Sequence, residues 1–223
     1  MKYFVIYCLL LAGLGLTAQE NLTYQKPSKE ISELAEASLA PSIRIDNKGE
    51  NIVFLKRSNY KTIEELSEEE LRLAGLRINP VTNIGSRTRY YFGLDVKIGK
   101  NGIIKNVSGL PENVRLANFT WSPNQKLMAF TNTANSGVEL WILDIETVQA
   151  KKISNTKINA NVNDPFTWFK DSEALLVKTI PNNRETLINT KEAIPTGPTI
   201  SISEAGVEAQ NRTYQDLLKN KND

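Results

Sequence analysis

The sequence contains no histidine, and its single cysteine, Cys8, lies in an apolar run near the N-terminus. The absence of histidine excludes a Ser-His-Asp triad and every histidine-ligated zinc site. A lone cysteine cannot form a disulfide within the chain, and no thiol for catalysis or metal binding follows Cys8. A G-x-S-x-G elbow, a Walker A loop and a G-x-G-x-x-G motif are also absent. We therefore expect no catalytic residue, no metal and no cofactor here, and we expect that this chain alone is not an enzyme.

An excess of charge of one sign is also missing. The chain has 27 basic and 25 acidic residues and a formal net charge of +2. This balance gives no electrostatic reason to expect binding to nucleic acid or to an anionic membrane surface. The acidic residues leave carboxylate-dependent hydrolysis open as a chemistry, although no pair of carboxylates stands out in the sequence.

The first 19 residues have the pattern of a signal peptide. Lys2 supplies a positive start, and the apolar run Tyr3–Leu16 fits the range of about 7–15 residues for such a peptide. It is shorter than the ~20 residues that span a bilayer, so an uncleaved anchor is the weaker alternative. Small residues at Thr17 and Ala18 allow cleavage after Ala18 or Gln19. We expect a signal peptide over 1–19, a secreted or periplasmic protein, and no membrane contact after cleavage.

The stretch Phe119–Ser154 alternates apolar runs with turn residues. It predicts four short antiparallel strands separated by tight turns. The strands are Phe119–Trp121, Leu127–Thr133, Val138–Asp144 and Ala150–Ile153, and the first two turns are Ser122–Gln125 and Ala134–Gly137. Such a unit is close in size to one blade of a β-propeller, whose repeats run to about 40–50 residues.

Two further stretches repeat the beginning of this pattern. Ser42–Leu55 aligns Ile45 with Trp121, and Phe166–Val177 aligns Trp168 with it. The interval between the first two copies is too long for one blade, so we expect an insertion at residues 62–80. In that insertion, Thr62 with Glu65 and Ser67 with Glu70 have capping-box spacing, which predicts one or two short helices.

The predicted fold class is therefore all-β, an incomplete β-propeller of about three four-stranded blade-like units with a short helical insertion, preceded by a signal peptide. We expect an N-terminal segment over 20–38 with a short helix capped by Ser28, a partial propeller over 39–210, and a C-terminal helix, cut short, over 211–223. Further strands are expected near Arg89–Ile98, Ile103–Val107, Thr186–Ile188 and Ile200–Ser203. Because a closed propeller needs about four to eight blades, the chain is expected to be part of something longer or to close with a second chain.

Two features suggest a ligand, and each has a plainer interpretation. Trp121 and Trp168 suit ligand stacking but are more simply blade-core residues. The run Asp46–Gly49 resembles a fragment of a calcium loop but lacks the closing glutamate, so a hairpin turn is the better interpretation.

Two charged features are similarly open. Glu68–Glu70 could bind a substrate amine, or could be a solvated helix start that compensates the helix dipole. Arg87 and Arg89 could face an anionic ligand, or could simply extend from the surface beside a strand. No substrate-binding residue can be assigned from these patterns.

Several longer segments carry a family resemblance. WSPNQKLMA and WFKDSEALLV resemble blades of the prolyl oligopeptidase family of serine peptidases. More specific segments are similar to the glutamyl endopeptidase-like branch: APSIRIDNKGE, ELSEEELRLAGLRINPVTNIGSR, GVELWILDIET, AIPTGPTIS and QNRTYQDLLKN. The resemblance runs from about Tyr24 to the last residue.

The resemblance implies a domain organisation and a role. In this family an N-terminal propeller covers a C-terminal α/β-hydrolase domain with the catalytic triad and limits access to small or unfolded peptides. This sequence matches only the first part of the propeller, so none of the family's catalytic residues has a counterpart here. The first hypothesis is a non-catalytic propeller fragment of a secreted peptidase, truncated before the hydrolase domain, with a peptide substrate only in the full-length context. The alternative is a stand-alone periplasmic propeller-type module that binds a protein or peptide.

Overall fold

The computed structural model describes residues 25–73, 75–183 and 206. Two compact units can be separated, Met1–Ala37 and Ser38–Asp223. The described part of the first unit contains helix α1, Lys29–Ala35, whose N-cap is Ser28 as predicted. The Ser28 side chain, however, accepts no capping hydrogen bond, and the helix begins with the backbone bond from Ser32 N–H to the Ser28 carbonyl.

The larger compact unit, Ser38–Asp223, begins with a four-stranded antiparallel meander, which we call the first meander. Its strands are β1 Ser42–Ile45, β2 Ile52–Arg57, β5 Tyr91–Lys97 and β6 Ile104–Asn106. The strands predicted near Arg89–Ile98 and Ile103–Val107 are thereby confirmed. The long segment between β2 and β5 is the predicted insertion.

The second meander contains the four strands predicted in Phe119–Ser154. They are β7 Leu116–Trp121, β8 Leu127–Ala134, β9 Gly137–Asp144 and β10 Gln149–Lys152, paired in sequence order. The pairing of β8 with β9 ends where Ala134 lies opposite Gly137. The predicted turn is therefore a two-residue loop. One residue pair, Tyr91 with Leu116, joins the two meanders into a single sheet.

The two meanders and a hairpin after them form three repeats of the same pattern, which we call the first, second and third units. In the part of the chain that the structure describes, the third unit is this hairpin. It consists of β11 Phe166–Trp168 and β12 Leu175–Val177. The all-β class is thereby confirmed, with two four-stranded meanders and a hairpin; a closed ring of blades is not seen among the described residues. The predicted signal peptide, the strands predicted at 186–188 and 200–203, and the helix predicted at 211–223 lie outside the described residues.

The three units share the same opening hairpin. Ile45, Trp121 and Trp168 each end the first strand, opposite Ile52, Met128 and Leu175 respectively. The fourth residue of each turn has a left-handed backbone, with φ of 70° at Gly49, 63° at Gln125 and 65° at Ser172. Each of these residues donates its N–H to the carbonyl three positions earlier, at 2.9–3.0 Å. The alignment of repeats made from the sequence is therefore correct residue by residue.

The meanders are stacked face to face. One core lies between the first and second meanders and includes Val53, Leu55, Met128, Phe130 and Trp141. A second core lies between the second meander and the hairpin, and it includes Ala129, Leu140 and Phe166. Because successive residues of β8 point to opposite cores, the strand is buried almost continuously along its length.

The insertion contains one helix, where one or two were predicted, and a hairpin. Helix α2, Ile63–Ser67, has the capping box predicted for Thr62 and Glu65. The spacing of Ser67 with Glu70 does not begin a helix, and a hairpin of β3 Leu71–Leu73 and β4 Leu76–Ile78 follows instead. The sequence Leu-Arg-Leu and Leu-Arg-Ile alternates with period two, and Gly75 between them has a φ of 91° that suits a tight turn. Among the described residues no helix is long and apolar enough to cross a membrane.

Candidate functional site

A groove lies beside the third unit. Its volume is about 370 Å³. The apolar wall is formed by the second meander and the hairpin, through Leu140, Ile142, Trp168, Leu175 and Val177. Ser154, Asn155 and Thr156 line its polar rim. The groove therefore combines an apolar wall with a polar rim, as ligand-binding clefts commonly do.

The two tryptophans belong to the cores, as the plainer interpretation predicted. Trp121 packs against the core between the first and second meanders. Trp168 packs against the other core, and its indole N–H donates to the carbonyl of Thr120 at 3.2 Å. Trp168 also lines the groove.

The Asp46 run is a self-contained hairpin turn. One carboxylate oxygen accepts from the Glu50 N–H and the other from the Asn51 amide, each at 2.8 Å. Burial alone would raise the pKa of Asp46, but these hydrogen bonds together lower it below its ordinary value. Both oxygens are used by the turn itself, and among the described residues no group of three or more acidic, histidine or cysteine side chains is arranged to hold a metal. The hairpin interpretation is therefore confirmed.

Side chains at the turns link each unit to the one before it. The Asn47 N–H donates to Oε1 of Gln125 at 3.1 Å, which joins the first and second turns. The Asn124 N–H donates to the hydroxyl oxygen of Ser172 at 3.0 Å, which joins the second and third. Gln125 and Ser172 occupy the left-handed position of their turns, where the first unit has Gly49. The sequence alone gave no sign of these links.

Glu68 anchors the insertion to the meanders, and the interpretation of it as a helix start is wrong. It follows α2 as the C-cap residue and so does not start a helix. Its carboxylate accepts from Arg115 Nη1 at 2.5 Å and from the Asn79 amide at 2.7 Å. The Arg115 guanidinium lies 5.4 Å from the centre of the Tyr90 ring and also donates to the Thr133 carbonyl. Arg115 is a structural partner that no sequence pattern indicated.

Glu70 makes a second set of contacts within the insertion. Its carboxylate accepts a hydrogen bond from the Ser86 hydroxyl and pairs with Arg72 Nε at 3.3 Å and with Arg77 Nε at 3.7 Å. The Ser86 hydrogen bond and the two arginines lower the pKa of Glu70 against the opposing effect of burial. Glu70 is therefore committed to structure, and it offers a substrate amine no free carboxylate.

Arg87 and Arg89 have exposed side chains, next to the strand β5. The structure brings neither of them to the groove, whose lining comes from the second meander, the segment after it and the third hairpin. Of the features singled out from the sequence, only Trp168 therefore lies at the groove.

Comparison with known proteins gives two curated relatives. The chain is 33% identical over 213 residues to a protein of Oryza sativa subsp. japonica named "Probable glutamyl endopeptidase, chloroplastic", and 32% identical over 212 residues to one of the same name from Arabidopsis thaliana. Each match covers 90% of this chain. The resemblance to the glutamyl endopeptidase-like branch is confirmed.

The chain spans about 22% of the length of these glutamyl endopeptidase relatives. Among solved structures, Pyrococcus horikoshii acylaminoacyl peptidase matches with a TM-score of 0.40 and 16% identity, over 73% of this chain and 20% of that chain. No protein-family model matches. The chain is thus related to one part of a much longer peptidase, and the described part of it is a stack of β-meanders.

Proposed function

We propose that this chain is a non-catalytic propeller segment of a peptidase, which limits the access of peptides to a catalytic domain formed by other residues. The observation that carries the proposal is the 33% identity to a probable glutamyl endopeptidase over 90% of a chain that contains no histidine. A serine peptidase of the triad type needs a histidine as general base, so the chemistry of such a protein must lie elsewhere. The predicted signal peptide at 1–19 supports a secreted or periplasmic location.

The stacked meanders support a gating role. Their apolar side chains are used to pack one unit on the next, and both acidic anchors of the insertion are paired with arginines. A rigid stack of this kind can restrict access by its shape without binding substrate tightly. The substrate of the complete protein would then be a peptide short or unfolded enough to pass.

A chimera tests the gating role. This chain would replace the matched 213 residues of the Oryza sativa relative, and cleavage of a short glutamyl peptide and of a folded protein would be measured. We expect the short peptide to be cleaved and the folded protein to resist. Adding Leu140→Asp, which places a charge at a position only 2% exposed in the core between the second meander and the hairpin, should open the stack and permit cleavage of the folded protein. If the folded protein resisted cleavage equally by the chimera and by the chimera with Leu140→Asp, the result would contradict gating.

A second candidate function rests on the groove. If the chain acts alone, the apolar wall with Trp168 and the polar rim suit the binding of an extended peptide. Binding of a peptide library to the purified chain, followed by the fluorescence of its three tryptophans, tests this function. Specific peptides whose binding is lost in Trp168→Ala would favour the binding module over the gating segment.

A further inference from the structure

The end of the insertion reaches beyond its own unit. Residues 79–86 follow β4 and lead back toward β5 of the first meander, and we call them the strap. Ile84 of the strap is only 1% exposed, and its side chain lies in the core between the second meander and the third hairpin. A segment of the first unit therefore supplies a buried side chain to the contact between the other two units.

The strap is a closed loop built on Asn79. The Asn79 N–H donates to the Ile84 carbonyl at 2.9 Å, and the Asn79 carbonyl accepts from the Asn83 N–H at 2.8 Å. The side-chain oxygen of Asn79 accepts from the N–H groups of Val81 and Thr82, at 2.9 and 3.0 Å. Because these hydrogen bonds close within the strap, we expect it to move as one piece.

One side of the strap is fixed to the second meander. The Asn79 amide donates to the Glu68 carboxylate at 2.7 Å. Glu68 is itself paired with Arg115, which directly precedes β7. The strap is thus tied to the second unit through a charged pair.

The other side of the strap is joined to the segment that leads into the third hairpin. Ile84 and Ala160 form a parallel β-bridge, and the Ala160 N–H donates to the Asn83 carbonyl at 3.2 Å. Beside this bridge, the Asn83 amide donates to the side-chain oxygen of Asn159 at 2.7 Å. The strap therefore holds this segment through an apolar side chain, a backbone hydrogen bond and a side-chain hydrogen bond.

The same segment is bonded to both neighbouring units. The Ile158 N–H donates to the carbonyl of Val138 in β9 at 3.0 Å, and the Asn159 N–H donates to the carbonyl of Lys178, just after β12, at 2.9 Å. Ile158 is 1% exposed, lies in the same core as the strap's isoleucine and lines the groove. Residues 158–160 are thus the point where the strap, the second meander and the third hairpin meet.

We propose that the strap holds the third unit against the second, and that its release lets these two units separate at the groove. The described strands of the third hairpin are only three residues long, and a hairpin of two short strands has little stability of its own. Its position therefore depends on contacts such as those of the strap. The inference deepens the proposed gating role, and it rests on that role only where the access of peptides is concerned.

Hydrogen exchange of the purified full chain, read by mass spectrometry of its peptides, tests the strap. We expect Ile84→Ala to speed exchange at least about tenfold in residues 158–160 and in both strands of the third hairpin, because the core that fixes them loses a buried side chain. Exchange in β2 and β5 should be unchanged, because their buried side chains lie in the other core. Ile63→Ala is the matched control, since Ile63 is an isoleucine of the same insertion that is 87% exposed on α2, and it should change none of these rates.

A disulfide variant separates the hold of the strap from a loss of packing. It combines Ile84→Cys with Ala160→Cys, two bridge partners at the same core, and Cys8→Ser removes the native thiol. With the cysteines reduced, the third hairpin should exchange as fast as in Ile84→Ala, and with the disulfide formed it should return to the wild-type rate. The proposal is overturned if the disulfide fails to form or to slow exchange, if Ile84→Ala leaves the hairpin unchanged, or if it speeds β2 and β5 equally.

The same disulfide in the chimera with the Oryza sativa relative tests the link to gating separately. If peptides enter where the second and third units separate, the short glutamyl peptide should be cleaved more slowly with the disulfide formed than with it reduced. Equal cleavage in both states, together with the expected exchange rates, would support the strap and contradict gating between these two units.

Discussion

The carboxylate of Asp46 shows how one buried charge can fix a turn. It is 6% exposed and accepts hydrogen bonds from Glu50 and Asn51. Because its pKa is lowered in the folded chain, its contribution to the free energy of unfolding is complete above about pH 4, the ordinary pKa of an aspartate. That contribution is lost as the pH falls through the lower pKa of the folded state.

We therefore predict that Asp46→Asn lowers the free energy of unfolding by about 1–3 kcal/mol at pH 7, since a buried hydrogen bond to a charged group is lost. Urea unfolding at pH 7 and at pH 3 measures this. The difference between wild type and variant should shrink at pH 3. The control is Asp171→Asn in the third turn, whose carboxylate is exposed and accepts one bond from the Glu173 N–H. A pH-independent effect of Asp46→Asn would contradict the account.

The pair of Glu68 and Arg115 is the second prediction at this scale. Their side chains are 29% and 20% exposed, so water screens the pair only in part. A double-mutant cycle with Glu68→Gln and Arg115→Met should give a coupling of about 1–3 kcal/mol, typical of a hydrogen bond between charged groups.

The control for that cycle is the pair of Lys29 and Glu33 in α1, at 3.6 Å and 83% and 67% exposed. Its coupling should stay below about 1 kcal/mol, as for surface pairs. If the two couplings were equal, Glu68 would not be the anchor of the insertion.

At the scale of elements, the second meander has apolar side chains in both cores, one on each of its faces. Phe130 is fully buried and stacks on Phe119, with ring centres 5.4 Å apart. We predict that Phe130→Ala lowers the free energy of unfolding by about 3–5 kcal/mol. Phe92→Ala is the matched control, since Phe92 is 55% exposed. This change should lower the free energy of unfolding by less than about 1 kcal/mol. Thermal unfolding measures both, and similar losses would show that the core is placed wrongly.

The elements also show what the sequence can predict. The repeats were found because each opening hairpin has apolar strands around a turn of fixed length, and these are local signals. The hairpin Leu71–Ile78 is not predictable in this way, because the same residues carry both a capping-box spacing, which favours a helix, and the period-two alternation around Gly75, which favours strands. Glu68 was misassigned for a related reason, since its partner Arg115 lies 47 residues away and only the folded chain brings the two together.

At the scale of the whole molecule, contacts between neighbouring units hold the described units in place. The turn links through Gln125 and Ser172, the two apolar cores and the insertion all tie one unit to the next. Sequence reasoning identified the units, because each is local. It did not identify the links, because their partners are tens of residues apart. The proposed gating role requires no catalytic group within this stack.

The most direct measurement of that account is an activity assay on the purified chain. It would combine hydrolysis of fluorogenic peptides, including glutamyl peptides, with labelling by a serine-reactive fluorophosphonate. We predict neither turnover nor labelling, since the chain has no histidine to activate a serine. Turnover that is abolished by changing a single aspartate or glutamate would contradict the account and would establish a carboxylate-dependent hydrolase instead.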